Sequence, residues 1–190
     1  RYRMDERKWI ERILAGDTQS FSCLVAKYEK MAYTIALRIL ENREEAEEAV
    51  QDAFVKMYRA LSDFHFDSKF STWFYRIVYR TALTALRQQR MFVSYEEAGP
   101  VDLSNDEVES ATALLEREDR KEMIARTLKK LPADEALLLT LYYLEECSVE
   151  EICQITELSA SNVKVKLFRG RKRFYEVLQD KMKLETADLL

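Results

Sequence analysis

Between Leu158 and Tyr175 the chain carries six cations, Lys164, Lys166, Arg169, Arg171, Lys172 and Arg173, and no Asp or Glu. A second such stretch runs from Ser68 to Tyr95, where Lys69, Arg76, Arg80, Arg87 and Arg90 again stand without an acid. In a chain of 190 residues with a formal net charge of -4, nothing general strips two segments of their carboxylates. A surface that must lie against phosphates does, because every local acid opposes the attraction. What accompanies the charge differs between the two. In the later stretch Asn162, Val165 and Phe168 lie among the cations. Lys and Arg can read guanine in the major groove, and Val or Phe can contact thymine methyls. In the earlier stretch Trp73, Tyr75 and Tyr79 interleave Arg76, Arg80 and Arg87, which recur at helical spacing. Cations with aromatic rings are the composition that holds single-stranded nucleic acid. Trp73, Phe74, Ile77 and Val78 read equally as core, and for Trp73 core is the stronger reading.

Bond-making chemistry has little support. The one histidine, His65, has no partner base, and no Gly-rich phosphate loop occurs. Cys23, Cys147 and Cys153 are scattered and odd in number, so they imply neither a disulfide framework nor, with His65, a metal-ligand set. No enzyme, metal or cofactor is expected.

The segment Ser148–Phe174 reads as a short helix, a tight turn and a longer basic helix. Ser148 and Glu151 form a capping-box pattern, and Ser159 caps the second helix, which runs to about Lys183. Val149, Ile152, Cys153 and Ile155 pack the first helix, and Val163, Leu167, Phe174 and Leu178 anchor the second. Asn162, Lys164, Val165, Phe168, Arg169 and Lys172 are left outward, with Phe168 evenly poised between core and contact. A recognition helix places its N-terminal half on base edges in this way.

Only 3 Gly and 2 Pro occur in the chain, and 47% of its residues are hydrophobic, which argues for an all-α protein with real cores. No 18-residue apolar run and no signal-peptide pattern appears, so a soluble cytoplasmic protein without membrane insertion is expected. Residues 1–92 carry 16 Lys/Arg and 13 Asp/Glu, net +3; residues 93–118 carry 1 and 8, net -7; residues 119–190 carry 13 of each. The middle segment holds Gly99-Pro100 and reads as a solvated acidic linker between two small helical domains.

In the first domain a helix over Asp5–Ala15 ends at Gly16, and Asp17 caps a long second helix. Asn42 with Glu45 resembles a capping box for a third helix to about Ser62, and the fourth spans about Ser71–Met91. In the third helix Glu47, Glu48, Gln51, Asp52, Val55 and Arg59 line an exposed side. Ala49, Ala53, Phe54, Met57, Tyr58 and Leu61 line the buried one. In the second domain a helix over about Glu107–Leu131 stops at Pro132, and 133–145 forms another.

Three stretches in this order, EAEEAVQDAFVKMYRAL, FSTWFYRIVYRTALTALR and LPADEALLLTLYYLEECSVEEICQITELSASNVKVKLFRGRKRF, resemble a bacterial RNA polymerase sigma factor of the extracytoplasmic-function (ECF) group of the sigma-70 family. The resemblance covers roughly residues 8–92 and 119–182. It implies that residues 1–92 form a region 2-like domain and 119–190 a region 4-like helix-turn-helix domain. Glu48, Gln51, Asp52 and Val55 would then dock on the β′ clamp helices of core polymerase. The loop Asp63–Lys69, with His65 and Lys69, sits where the family captures a flipped base of the −10 element. Arg76, Tyr79, Arg80 and Arg87 would help hold the opening strand. Asn162, Lys164, Val165, Phe168 and Arg169 match positions that read the −35 element, with Lys166, Lys172 and Arg173 nearer phosphates. The β flap and an anti-sigma factor are further implied partners, and the linker would thread toward the RNA exit path.

Departures are visible. Arg76 and Ile77 stand where primary sigma factors carry a Trp pair. Arg80 stands where ECF factors often have Asn, Glu157 where they have a turn Gly, and Lys164-Val165 where many have Arg-Ser. They bear on the promoter sequence, not on the mode of binding. Two rival readings are a sigma-like decoy for an anti-sigma factor and a free-standing helix-turn-helix regulator. Regulation is expected through closure of the two domains on each other, or through an anti-sigma partner, covering both the acidic helix and the cations.

Overall fold

The computed structural model describes the backbone of residues 2–93 and 115–187 and the side chains of 6–89 and 122–180. The described residues are helical, with no strand among them. The first unit comprises α1 (Tyr2–Leu14), α2 (Gln19–Leu40), α3 (Arg43–Arg59), a single 3₁₀ turn (Leu61–Asp63) and α4 (Phe70–Val93). The second comprises α5 (Leu115–Lys129), α6 (Ala133–Leu139), α7 (Val149–Thr156) and α8 (Ala160–Ala187). The expected linker at 93–118, with Gly99-Pro100, falls mostly outside the described residues, as do the start of the helix expected from Glu107 and the side chain of Arg90.

Local chemistry explains most boundaries. Asp17 accepts the Gln19 N–H at 3.0 Å and the Ser20 hydroxyl at 2.9 Å, so it satisfies the start of α2 although Thr18 is the formal cap. Asn42 Oδ1 accepts the Glu45 N–H at 3.1 Å at the start of α3. At α7 the capping box is complete in both directions, with Glu151 N–H on Ser148 Oγ at 3.1 Å and Ser148 N–H on Glu151 Oε2 at 2.8 Å. Ser159 Oγ accepts the Asn162 N–H at 3.3 Å at the start of α8.

The helix expected over 133–145 is not uniform. After α6 the backbone widens into a π turn over Thr140–Leu144, closed by the Glu145 N–H on the Thr140 carbonyl at 3.2 Å. Thr140 bonds its own hydroxyl back to the Ala136 carbonyl at 2.8 Å, competing with the ladder there.

In the first unit α2, α3 and α4 pack on one another, and α1 covers α2. Their shared core is aromatic. Phe54 and Phe74 have ring centroids 4.7 Å apart, Tyr28 and Phe70 5.3 Å, and Phe64 and Trp73 5.0 Å. Trp73 is therefore a core-edge residue. Tyr58, expected on the buried side of α3, is 46% exposed and stacks edge-on over Phe21, while Val50 takes a buried position instead. In the second unit Leu138, Leu141, Ile152, Ile155 and Val163 are fully buried, and α8 closes on α6 and α7. Gly170 permits that closure, since a Cβ there would lie 3.2 Å from Leu139 Cδ1 and 3.3 Å from Glu135 Cβ. The units also meet, α7 lying against α4 and α6 against α2.

Candidate nucleic-acid and polymerase interfaces

On α8 the apolar positions Val163 and Leu167 turn inward, which fixes what the opposite side presents. Asn162, Lys164, Arg169 and Lys172 are exposed, together with Val165 and with Phe168 at 64%. Phe168 is therefore not a core residue, which removes the core alternative left open for it. Lys166 and Arg173, expected nearer phosphates, lie at the edge of this face and are paired with acids of α6. Lys166 bridges Asp134, and Arg173 Nη1 reaches both oxygens of the buried Glu135 at 3.1 Å.

This arrangement gives Arg173 a structural duty. Glu135 is 5% exposed, and a buried carboxylate without its partner is costly. Because Arg173 itself is half exposed, we expect R173A to lower stability by about 2 kcal/mol, below the full cost of breaking a buried pair. Urea unfolding checks this. R173A combined with E135A should recover part of the loss, and a loss unaffected by E135A would place the role of Arg173 elsewhere.

The cations of α4 are positioned differently. Arg76 and Arg80, one turn apart, converge on a single acid from the second unit. Arg76 Nη2 lies 3.2 Å and Arg80 Nε 3.1 Å from Glu157 Oε1, and Arg80 Nη2 bonds the same oxygen. Lys69 pairs with Glu151 at 2.8 Å, and the hydroxyl of Tyr75 donates to Glu145 at 2.9 Å. Tyr75, read from sequence as interleaving the cations, is 2% exposed and faces this contact. Tyr79 is half-buried beside it, and Arg87 and His65 are exposed.

Electrostatics follow the geometry. Hydrogen bonds from Arg80 and then Arg76 hold the Glu157 carboxyl below the usual range. For Glu151, burial pushes upward, but the hydrogen bonds from Lys69 and the Ser148 N–H, with the charge of Lys69, prevail and lower it. Burial is also the main reason the Cys147 thiol is pushed up to about 11, so this cysteine is an inert packing residue. Among the described residues no group of His, Cys, Asp and Glu could hold a metal ion. None of the described helices is long and apolar enough to cross a membrane.

The loop before α4 contains a feature the sequence reading missed. Phe66 has φ +61°, unusual for a residue with a Cβ, and packs on Phe64 with centroids 4.7 Å apart. The Arg7 guanidinium of α1 sits 4.8 Å from the Phe66 ring centroid. The available signal was an aromatic residue placed among Asp63, His65, Asp67 and Ser68. On α3, Glu48, Gln51, Asp52 and Val55 are all exposed on one side, as expected, with Lys56 bridging Asp52 at 2.7 Å. That side is free of the second unit, so the contact between the units pairs Lys69, Arg76 and Arg80 with acids, leaving each about half exposed, and does not reach the acidic helix, contrary to the expectation that closure would cover both surfaces.

Comparison with known proteins agrees with this layout. Residues 24–91 match the sigma-70 region 2 family, and residues 121–174 match sigma-70 region 4. The chain is 32% identical to the RNA polymerase sigma-H factor of Pseudomonas aeruginosa over 181 residues, covering 92% of this chain and 94% of that protein. It is 31% identical to the ECF RNA polymerase sigma-E factor of Escherichia coli K12, covering 86% and 88%. Among solved structures, the sigma factor RpoE of Bartonella quintana in complex with the anti-sigma factor NepR aligns with a TM-score of 0.68 at 18% identity, covering 85% of this chain and 98% of that one. CnrH in complex with the cytosolic domain of CnrY aligns at 0.61 and 21% identity, covering 93% and 98%. These two likenesses concern the fold. With both sigma regions matched in order, and with relatives above 30% identity over nearly the whole chain, the protein belongs to the extracytoplasmic-function group of the sigma-70 family of RNA polymerase sigma factors.

Proposed function

We propose that this chain is a promoter-specificity subunit of RNA polymerase working in the cytoplasm. It performs no bond chemistry. The observation that carries this reading is the pairing of an exposed cation and aromatic face on α8 with a second cationic face on α4, held on separate units. Lys164, Val165, Phe168 and Arg169, with Asn162, read the −35 element in the major groove, and Lys172 contacts a phosphate. Lys69, Arg76, Arg80 and Arg87 take the opening −10 strand, with His65 and the Phe66 loop beside the flipped base. Stabilising those unstacked bases offsets stacking of roughly 1.4 kcal/mol per step. Tyr79 supports that face from a half-buried position.

Glu48, Gln51, Asp52 and Val55 dock the chain on the β′ clamp helices, and the second unit meets the β flap. Residues 1–92 and 119–190 act as the two readers, and 93–118 as the tether that raises their effective concentration on one promoter. An anti-sigma factor is the expected antagonist, since two of the similar structures contain such complexes or a cytosolic partner.

Purified core polymerase, the full chain and genomic DNA fragments test this reading together. Discrete promoter-directed transcripts are expected only when both proteins are present. No transcript, with core bound, would favour the decoy; specific palindrome binding without core would favour a free-standing regulator.

A further inference from the structure

Glu157 occupies a position where its backbone gains nothing from being glutamate. It ends α7 with φ +62°, a left-handed conformation in which glycine is free of strain and other residues are not. Glu41 and Glu146 share this conformation, so what sets Glu157 apart is not its φ but the partners of its side chain. The side chain of Glu157 reaches out of the helix-turn-helix and receives both Arg76 and Arg80 of α4, on one carboxylate oxygen. Seven residues before Arg76, at the start of α4, Lys69 is taken by Glu151 of the same short helix. Three cations of the strand-holding face therefore meet two acids of α7. Each of those acids stands where a phosphate would have to stand for the same cation to hold DNA.

The same contact leaves other surfaces open. Glu48, Gln51, Asp52 and Val55 of α3 remain exposed while the units are closed. On α8, Lys164, Phe168 and Arg169 also remain exposed. Among the described residues, what the contact engages is the face for opened DNA, at Lys69, Arg76 and Arg80, while Arg87 and His65 of that face stay exposed.

We propose that Glu157, with Glu151 behind it, acts as an internal phosphate mimic that masks the α4 strand-holding face, so that the free chain can dock on polymerase but cannot grip single-stranded DNA until its two units part. This rests on the assignment of α4 as a strand-holding surface. It adds an order of events: docking through α3 first, release of Arg76 and Arg80 second, and strand capture last. It also gives the departures at positions 80 and 157 a joint meaning. They sit on different units, 77 residues apart in sequence, and bond directly to each other. Exposed ion pairs are individually weak, so the clasp is suited to a contact that must yield when polymerase pulls the units apart.

The test uses E157G in the full chain. Glycine is at ease at this φ, so the turn keeps its fold while the clasp is lost. Glu146 supplies a matched control, because it too is exposed, is a glutamate, and has φ +52°. E146G makes the same change in charge and backbone without touching α4. The readouts are binding of a mixed-sequence 20-nucleotide single-stranded DNA by anisotropy at low salt, and the radius of gyration by solution X-ray scattering.

E157G is expected to bind the strand about 5- to 10-fold more tightly than the unaltered chain and to expand, with E146G changing neither. Adding R76A and R80A to E157G should erase the gain in binding but leave the expansion. An equal gain in both glycine variants, or a gain in neither, overturns the mask. The scattering measurement needs neither DNA nor polymerase. Loss of the sigma assignment would show as absent transcription with the expansion intact, and loss of the mask as normal transcription with no expansion.

Discussion

Replacing Lys164 and Arg169 together with alanine is expected to reduce promoter-directed transcription about 100-fold or more while leaving polymerase binding unchanged. Each side chain is exposed on the outward side of α8, and among the described residues neither is engaged by an acid, so truncation removes no internal contact. A good base contact discriminates by about 1–3 kcal/mol, and two on one helix multiply their effects. Lys172 offers the contrast, because a phosphate contact carries no sequence information. K172A should weaken binding on all promoters alike and lower the salt slope by about one. Run-off transcription on several promoters, with footprinting at two salt concentrations, separates the two behaviours. If the double variant kept promoter selectivity, α8 would not be the reading helix. R173A is the folding control: its cost should appear in urea, since its partner Glu135 is buried within the same unit.

What the sequence disclosed and what it hid follow from how local each determinant is. The caps at Asn42, Ser148 and Ser159 lie within three residues of the groups they satisfy, and each accepts the expected N–H, but the box read at Asn42 forms only by half, because the Glu45 side chain accepts from Gln89 and does not reach back to the Asn42 N–H. The outward side of α8 was legible because Val163 and Leu167 leave it only one orientation. The π turn at Thr140–Leu144 was not, because one added residue per turn changes no apolar periodicity over so short a span. Tyr58 was misplaced for a related reason. It lies at the rim of the apolar stripe of α3, and Phe21 on α2 decides that it covers the edge of the core and does not fill it.

The fate of Tyr75 and of the α4 cations depended on distant groups. An acid-free stretch was read as free to meet phosphates. Yet the acids it meets, Glu145, Glu151 and Glu157, come from the other unit. Composition within a window cannot report a carboxylate that arrives from 77 residues away. The sequence did mark Glu157 as an unusual turn residue, and its φ of +62° gives that oddity its physical content.

The docking assignment on α3 makes a demand of the opposite kind, because a defect there should be blind to promoter sequence. Substituting both Gln51 and Asp52 with lysine is expected to weaken core binding about 30-fold and to reduce every transcript by the same factor. Both side chains are exposed, and Asp52 contributes only the surface pair with Lys56, so the helix should persist. Reversing charge on a surface that presents Glu47, Glu48 and Asp52 removes complementarity to a basic partner and adds repulsion, for which a loss of about 2 kcal/mol is typical of a central contact. V55A probes the apolar part of the same surface, since Val55 is 46% exposed and can be truncated without opening a cavity. Competition for core polymerase against a labelled copy of the unaltered chain measures both. Circular dichroism confirms that α3 is intact. Because α3 stays uncovered when Glu157 holds Arg76 and Arg80, the affinity for core should not depend on whether that clasp is present, and E157G should compete as well as the unaltered chain. Unchanged competition by the lysine pair would move the docking surface off α3. A requirement for E157G before core binding could occur would reverse the order of docking and opening.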